Sequence, residues 1–303
     1  MRVPWRIFWV CIVGLVLVVL GLVLNAFWPR PQADAKIPAS VVLPRPSHVV
    51  IVMEENHSYP AIIGSDDVPY INTLARQSAL FTNAHGVTHP SQPNYLALFS
   101  GSTYGLTTDN CPNTFSGPNL ATELTQAGLS FKGYSENLSG VGFKGCFAPS
   151  ASNPLYARKH TPWANFSAVP PDDSQPWTNF PTNYDSLPTV SIVVPNQLHD
   201  MHSGTIEQAD TWLQQNMNGY VQWATTHNSL LIITWDEQDG LFSNKIPTLF
   251  VGPMIRPGHY GESINHYNVL RTLEDMYKLP YANQSANVSP ITNVWQSLHE
   301  ERQ

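Results

Sequence analysis

The chain reads as an α/β protein, a three-layer arrangement with a mostly parallel central sheet, and three observations predict it. Apolar, β-branched runs at His48-Val49-Val50-Ile51-Val52 and Leu230-Leu231-Ile232-Ile233-Thr234 have the unbroken hydrophobicity of parallel strands buried on both faces. Strand and helix signals alternate along most of the 303 residues, the order that builds a parallel sheet with helices on both sides. Each run also ends in acid, Met53-Glu54-Glu55-Asn56 after the first and Trp235-Asp236-Glu237 after the second. In open α/β sheets, ligands bind in the crevice beyond the carboxyl ends of the strands. Two carboxylate clusters meeting there repel each other unless a cation lies between them. A metal site is therefore expected at Glu55, Asn56, Asp236 and Glu237, whose hard oxygens suit Mg, Ca, Mn or Zn. Taken alone, Glu55-Asn56 also fits a turn or helix cap.

Ahead of the first strand, Ile7 to Phe27 is nearly all apolar and long enough to span a bilayer. Arg2 and Arg6 precede it, so the positive-inside rule places the N-terminus in the cytoplasm and the body outside. Residues 1–28 read as an uncleaved membrane anchor, because the stretch is longer than a usual signal-peptide core and the cleavage-like triplet Ala33-Asp34-Ala35 lies far beyond it; the alternative is a cleaved signal that leaves the body secreted. Residues 29–47 carry five prolines and no apolar periodicity, and read as a stalk. Residues 48–303 form the catalytic body. Cys11 lies in the apolar segment. Cys111 and Cys146 are the pair left for the exported body, and a disulfide between them is expected, contributing about 3–4 kcal/mol in the chain-entropy picture.

Within the body, helices are predicted at Pro69 to Gln77, Asn94 to Phe99, Asn119 to Ala127, Ile206 to Thr226 and His266 to Lys278, and further strands at Ala79 to Phe81, Ser130 to Tyr134, Thr189 to Val194 and Ile246 to Val251. Ile206, Ala209, Leu213, Met217, Tyr220, Val221 and Ala224 recur at helical spacing, which makes that segment the crossover into the Leu230 strand. Pro149 to Pro188, rich in Pro, Asn and aromatic residues, reads as an irregular cap. Hydrophobic residues at 42% are ample for a core, and the net charge of −7 with a pI near 5.8 argues against a nucleic-acid partner.

The remaining chemistry-bearing residues sit at predicted strand ends. Ser91, in Thr88-His89-Pro90-Ser91-Gln92-Pro93-Asn94, is expected about two residues before a helix, where backbone N–H groups and the helix dipole can seat a phosphate. A serine there serves either as an N-cap or, facing a metal, as a nucleophile toward phosphorus. Asp200 and His202, with His199 beside them, follow the Thr189 strand; His266 opens its helix; His160 lies in the cap and can line the pocket from above.

With these motifs the chain resembles the phosphoesterase family that joins bacterial and fungal acid phosphatases with bacterial phospholipases C, within the alkaline-phosphatase-like fold. The resemblance runs from about His48 to Trp295 and rests on Glu55-Asn56, Pro90-Ser91-Gln92-Pro93-Asn94-Tyr95, Tyr156-Ala157-Arg158-Lys159-His160, Asp200-Met201-His202, Trp235-Asp236-Glu237 and His266-Tyr267. It implies that Glu55, Asn56, Asp236 and Glu237 hold a divalent metal and that Ser91 is the nucleophile, passing through a phosphoserine. It implies that His160, His202 and His266 contact the phosphate or protonate the leaving oxygen, and that Asp200 orients a neighbour or binds metal. The chain departs from the more phosphatase-like members at Ser203 and Gln238, where those sequences often carry an acid; both departures bear on local charge and on any second metal. The expected function is a membrane-anchored, metal-dependent phosphomonoesterase, most active at mildly acidic pH because proton donation needs charged imidazole. The alternatives are a phospholipase C-type phosphodiesterase acting on lipid headgroups, with Trp163, Phe166 and Trp177 as an apolar lip, and a non-catalytic surface binding module.

Overall fold

The structure, a computed structural model, describes residues 42–240 and 243–296. The predicted spanning segment, Cys11 and most of the stalk lie outside the described residues. Among those described, no helix is long and apolar enough to cross a membrane. The end of the stalk packs on the body: Ser47 N donates to Asn228 O (2.7 Å) and Tyr277 Oη to Pro46 O (2.9 Å).

The strands are β1 (His48–Glu54), β2 (Ala79–Phe81), β3 (Ala84–His85), β4 (Phe131–Ser135), β5 (Phe147–Ser150), β6 (Asn153–Ala157), β7 (Ser174–Pro176), β8 (Val190–Val194), β9 (Ser229–Trp235), β10 (Lys245–Ile246), β11 (Thr248–Val251), β12 (Gly258–Tyr260) and β13 (Ile264–Asn265). Among the described residues the main sheet has eight strands in the order β12-β2-β11-β9-β1-β8-β4-β7. Its pairings are parallel except those of β11, which runs antiparallel to both β9 and β2. Val49 to Met53 of β1 and the whole of β9 are buried, as their continuous apolar runs require.

One predicted strand is divided. Ile246 to Val251 is broken at Pro247, whose missing N–H cannot join a ladder, so Lys245–Ile246 pairs with β3 while Thr248–Val251 enters the main sheet. The Ile206–Ala224 helix begins with a capping box between Thr205 and Gln208, and the His266–Tyr277 helix with one between Asn265 and Asn268.

The cap between β4 and β8 is built from the β5–β6 hairpin, β7 and short 3₁₀ turns, and Cys146 at its base is bridged to Cys111. The predicted apolar lip is not there. Trp163 and Phe166 are core residues, and Trp163 lies so close over β4 that a Cβ on Gly133 would come within 2.1 Å of its ring. Trp177 packs against Trp212 and Phe180. Aromatic area of this size is more stable inside than at a rim, once the Trp163 Nε1–H has found a partner, here Ser174 Oγ at 3.0 Å.

Away from the sheet ends, the Leu120–Gln126 helix and the His266–Tyr277 helix each bury a glutamate. Glu274 Oε1 accepts from Ala282 N (2.8 Å) and Ser285 Oγ (2.9 Å), whereas neither oxygen of Glu123 has a partner among the described residues. Burial, with the Glu274 charge adding, pushes Glu123 up to about 8, and burial pushes Glu274 up to about 7. A carboxyl group raised in the folded state keeps its proton there longer than in the unfolded chain, so stability is lost as pH rises from the ordinary carboxylate range toward 8. Glu123→Gln should therefore raise the melting temperature at pH 8 and change it little at pH 5. Calorimetry at the two pH values checks this, and equal shifts at both would count against a neutral Glu123.

Candidate active site

The register of β1 and β9 builds the site. Glu54 lies opposite Trp235, so both strands end at one level and Glu55 emerges beside Asp236. Asp236 N donates to Glu54 O (3.0 Å), closing the last rung. Asn56 then turns into the left-handed region (φ 52°), which asparagine tolerates, and its backbone N–H reaches Asp236 Oδ1 (3.1 Å). Glu237 N donates to the same oxygen (2.6 Å), leaving Asp236 Oδ2 buried with no donor. β8 flanks β1 on its other side, and its exit loop brings Asp200 to the same end of the sheet: Asp200 O accepts from Glu55 N (2.7 Å).

Ser91 is the first residue of its helix (Ser91–Ser100) with Pro90 as N-cap, one turn earlier in the motif than the sequence reading placed it. The cause is Asn94. Its Oδ1 accepts from Val87 N (2.8 Å) and Thr88 N (3.0 Å), and its Nδ2 donates to Thr88 O (2.8 Å) and Pro90 O (3.1 Å), folding the loop back on the helix start. The Ser91 hydroxyl does not cap. It donates toward Glu55 Oε2 (3.1 Å) and Glu237 Oε1 (3.2 Å), bridging the two strand ends. Glu237 Oε2 also meets His89 Nδ1.

His160 enters from the cap, fully buried and stacked on the Tyr95 ring (centroids 5.1 Å apart). Its Nε2 lies 3.0 Å from Glu55 Oε1, a contact of opposite polarity without the alignment of a hydrogen bond, and its Nδ1 lies 3.4 Å from Asp200 Oδ2. Asp200 Oδ1 accepts from His202 N (2.8 Å), so this carboxylate fixes both histidines. The loop between them closes tightly, and a Cβ on Gly204 would come within 1.9 Å of Leu198 O. His266 differs from the other predicted site residues: its Nε2 is engaged with the backbone carbonyl of Asp236 (2.8 Å), so it supports the strand end from behind. His199 pairs with Glu136 (2.8 Å).

Three participants went unread in the sequence. Lys159 Nζ lies 2.9 Å from Asp109 Oδ2 and 3.2 Å from His202 Nε2. Asp109 Oδ1 accepts from Gln92 N (2.9 Å), next to Ser91. Tyr95 stacks on His160. Lys159 was the findable one, as a cation adjoining His160 in a chain with only 15 Lys and Arg.

Electrostatics set the chemistry. Burial pushes Asp236 well up, with Glu55 and Glu237 adding to it, and pushes Glu237 up to about 8. Burial raises Glu55 too, against the pull of the Lys159 charge, and Glu54 well above the carboxylate range. The imidazoles move the other way: burial holds His160 below its usual value and brings His202 and His266 down to about 4. Several acids crowded into one dry crevice must hold protons or share a cation. The donor set fits a cation: Glu55 Oε1 and Asp236 Oδ2 are buried without donors, while Glu237 meets Ser91 and His89 and Asn56 is tied in through its backbone N–H. A second grouping, Glu55, His160 and His202, also brings ligand atoms within 4.8 Å of one another.

A model of the Phosphoesterase family matches residues 64–280. The chain is 50% identical over 280 residues to the phosphatidylinositol-3-phosphatase of Mycobacterium tuberculosis, covering 91% of this chain and 92% of that one. It is 29% identical over 247 residues to the phosphate-repressible acid phosphatase of Penicillium chrysogenum, covering 77% of this chain and 59% of that one. Its fold is similar to that of a solved protein of the alkaline phosphatase superfamily from Vibrio parahaemolyticus, with a TM-score of 0.58 at 12% identity over 82% of this chain and 71% of that one. A family match across most of the body, joined to a half-identical relative of nearly equal length, shows that this chain belongs to the Phosphoesterase family and is a phosphoric ester hydrolase on the alkaline-phosphatase superfamily fold.

Proposed function

We propose that the chain is a metal-dependent phosphomonoesterase that works through a phosphoserine at Ser91. The observation that carries the reading is the Ser91 hydroxyl, set at a helix N-terminus and donating toward Glu55 and Glu237. When bound, a divalent ion at Glu55, Asn56, Asp236 and Glu237 supplies positive charge that neutralises the phosphate and lowers the pKa of the serine hydroxyl. Ser91 Oγ passes its proton to a neighbouring carboxylate and forms a bond to phosphorus while the ester oxygen leaves. That oxygen takes its proton from His160, whose Nδ1 Asp200 orients (3.4 Å). Water then attacks the phosphoserine, phosphate departs, and the serine regains its proton. The positive end of the Ser91–Ser100 helix would stabilise the charge on the equatorial oxygens.

The substrate class follows from the relative named for a phosphoinositide 3-phosphate and from the N-terminal apolar segment, which would hold the body at the outer face of a membrane. We therefore favour a monoester phosphate on a polyol headgroup over the phosphodiester of a phospholipase C, a choice the buried positions of Trp163 and Phe166 support. The test compares p-nitrophenyl phosphate, a short-chain phosphatidylinositol 3-phosphate and p-nitrophenyl phosphorylcholine, using the full chain in detergent across pH 4 to 9. Phosphate release from the first two is expected, highest on the acid side because burial holds His160 below its usual pKa, so that it keeps a proton only there. Faster cleavage of the phosphorylcholine ester would make the chain a diesterase.

A further inference from the structure

We propose that the Lys159 ammonium group, in place of a second metal ion, is the cation that binds the substrate phosphate beside Glu55, His160 and His202; the inference rests on the phosphomonoesterase reading above. Glu55, His160 and His202 have the spacing of a metal site, with ligand atoms within 4.8 Å of one another. Asp200 behind His160 Nδ1 (3.4 Å) would complete a carboxylate–histidine support for such an ion. Against this grouping stands Lys159. Its Nζ is 3.2 Å from His202 Nε2, while His202 Nδ1 is turned to Ser203 Oγ (3.0 Å). A lone pair that accepts from an ammonium group is not available to a divalent ion, and two cations at that distance repel.

The lysine is built in. Its side chain is 13% exposed, and Asp109 Oδ2 holds it at 2.9 Å. The other oxygen of Asp109 accepts from Gln92 N (2.9 Å), which ties the ammonium to the helix start that carries Ser91. Both ends of this tie converge on the disulfide. Asp109 is two residues from Cys111, and Arg158, next to Lys159, donates its backbone N–H to Cys146 O (2.9 Å) and its Nη1 to Lys144 O (2.8 Å). An ammonium has three protons; Asp109 and His202 take two, and among the described residues the third has no acceptor, leaving it for a phosphate oxygen. A fixed organic cation there supplies the charge that phosphoryl transfer needs on the oxygens away from the first metal.

The test uses the full chain, wild type beside Lys159→Met and Lys159→Arg. Bound metal is counted after equilibration with excess Mn or Zn, and the affinity for inorganic phosphate is measured by calorimetry. The wild type should hold a single ion. Lys159→Met should bind phosphate about 10- to 100-fold more weakly and take up a second ion at high metal concentration, while Lys159→Arg should keep single-ion binding and most of the phosphate affinity. Should Lys159→Met not fold, Lys159→Gln takes the same readings. Two ions in the wild type, or phosphate affinity unchanged in the neutral variant, would overturn the proposal. Neither reading depends on turnover: a wild type inactive on every monoester but losing phosphate affinity on Lys159→Met would support the lysine while sinking the phosphomonoesterase reading.

Discussion

Ser91→Ala should lower kcat on p-nitrophenyl phosphate by about 10³-fold or more, because removing a nucleophile leaves only the charge and positioning around it. The fold should survive. Ser91 makes no cap, and the helix start is held by Asn94 and by the Asp109–Gln92 hydrogen bond. Ground-state binding should survive as well, since the deleted hydroxyl touches Glu55 and Glu237 and the phosphate contacts come from elsewhere. The expected signature is thus a collapsed kcat with an intact competitive inhibition constant for inorganic phosphate and an unchanged melting temperature. A variant that keeps kcat within tenfold of wild type would remove Ser91 from the chemistry, and the carboxylates would then have to activate water directly.

Removing the metal should destabilise the chain, and by more at pH 8 than at pH 5. In the metal-free protein, Asp236 and Glu55 lie above the ordinary carboxylate range and Glu237 near 8, all principally through burial. Their folded pKa values are raised, so the metal-free fold binds more protons than the unfolded chain between roughly pH 4 and 8, and its stability falls as pH rises through that window. A divalent ion binds the deprotonated acids, so its affinity rises over the same range. At metal about 1,000-fold above its dissociation constant, the upward shift in melting temperature should be on the order of 10 °C at pH 8 and clearly smaller at pH 5. Thermal melts with EDTA and with added Mn or Zn at both pH values decide the point. A larger shift at pH 5 would mean that these carboxyls are not the ligands.

The parts of the fold visible in the sequence were those with strong local signals. The continuous apolar runs of β1, β8 and β9 give buried parallel strands, and the equal lengths of β1 and β9 beyond their first rung put Glu55 beside Asp236. Helical periodicity placed the Ile206–Ala224 helix to within two residues. What escaped was set by single groups or by distant partners. Pro247 divides one apolar stretch into two strands of different sheets. Asn94 pulls the helix start back to Ser91 through four hydrogen bonds that no propensity anticipates. Trp163 and Phe166 lie in a segment whose Pro and Asn content reads as surface, yet their area goes to the core. The Lys159–Asp109 pair joins residues 50 apart, one in the cap and one beside the disulfide, and nothing periodic links them. His266 looked like its fellow site histidines because sequence shows that a ring is near an acid but not which atom of the acid it meets.

The most direct measurement is acid quenching of the full chain during turnover of p-nitrophenyl phosphate at mildly acidic pH, followed by proteolysis and mass mapping. The account predicts a phosphoryl group on the peptide containing Ser91, at the hydroxyl of Ser91 and absent from Ser91→Ala. Steady turnover with no phosphorylated peptide, or a phosphoryl group on a histidine instead, would contradict it.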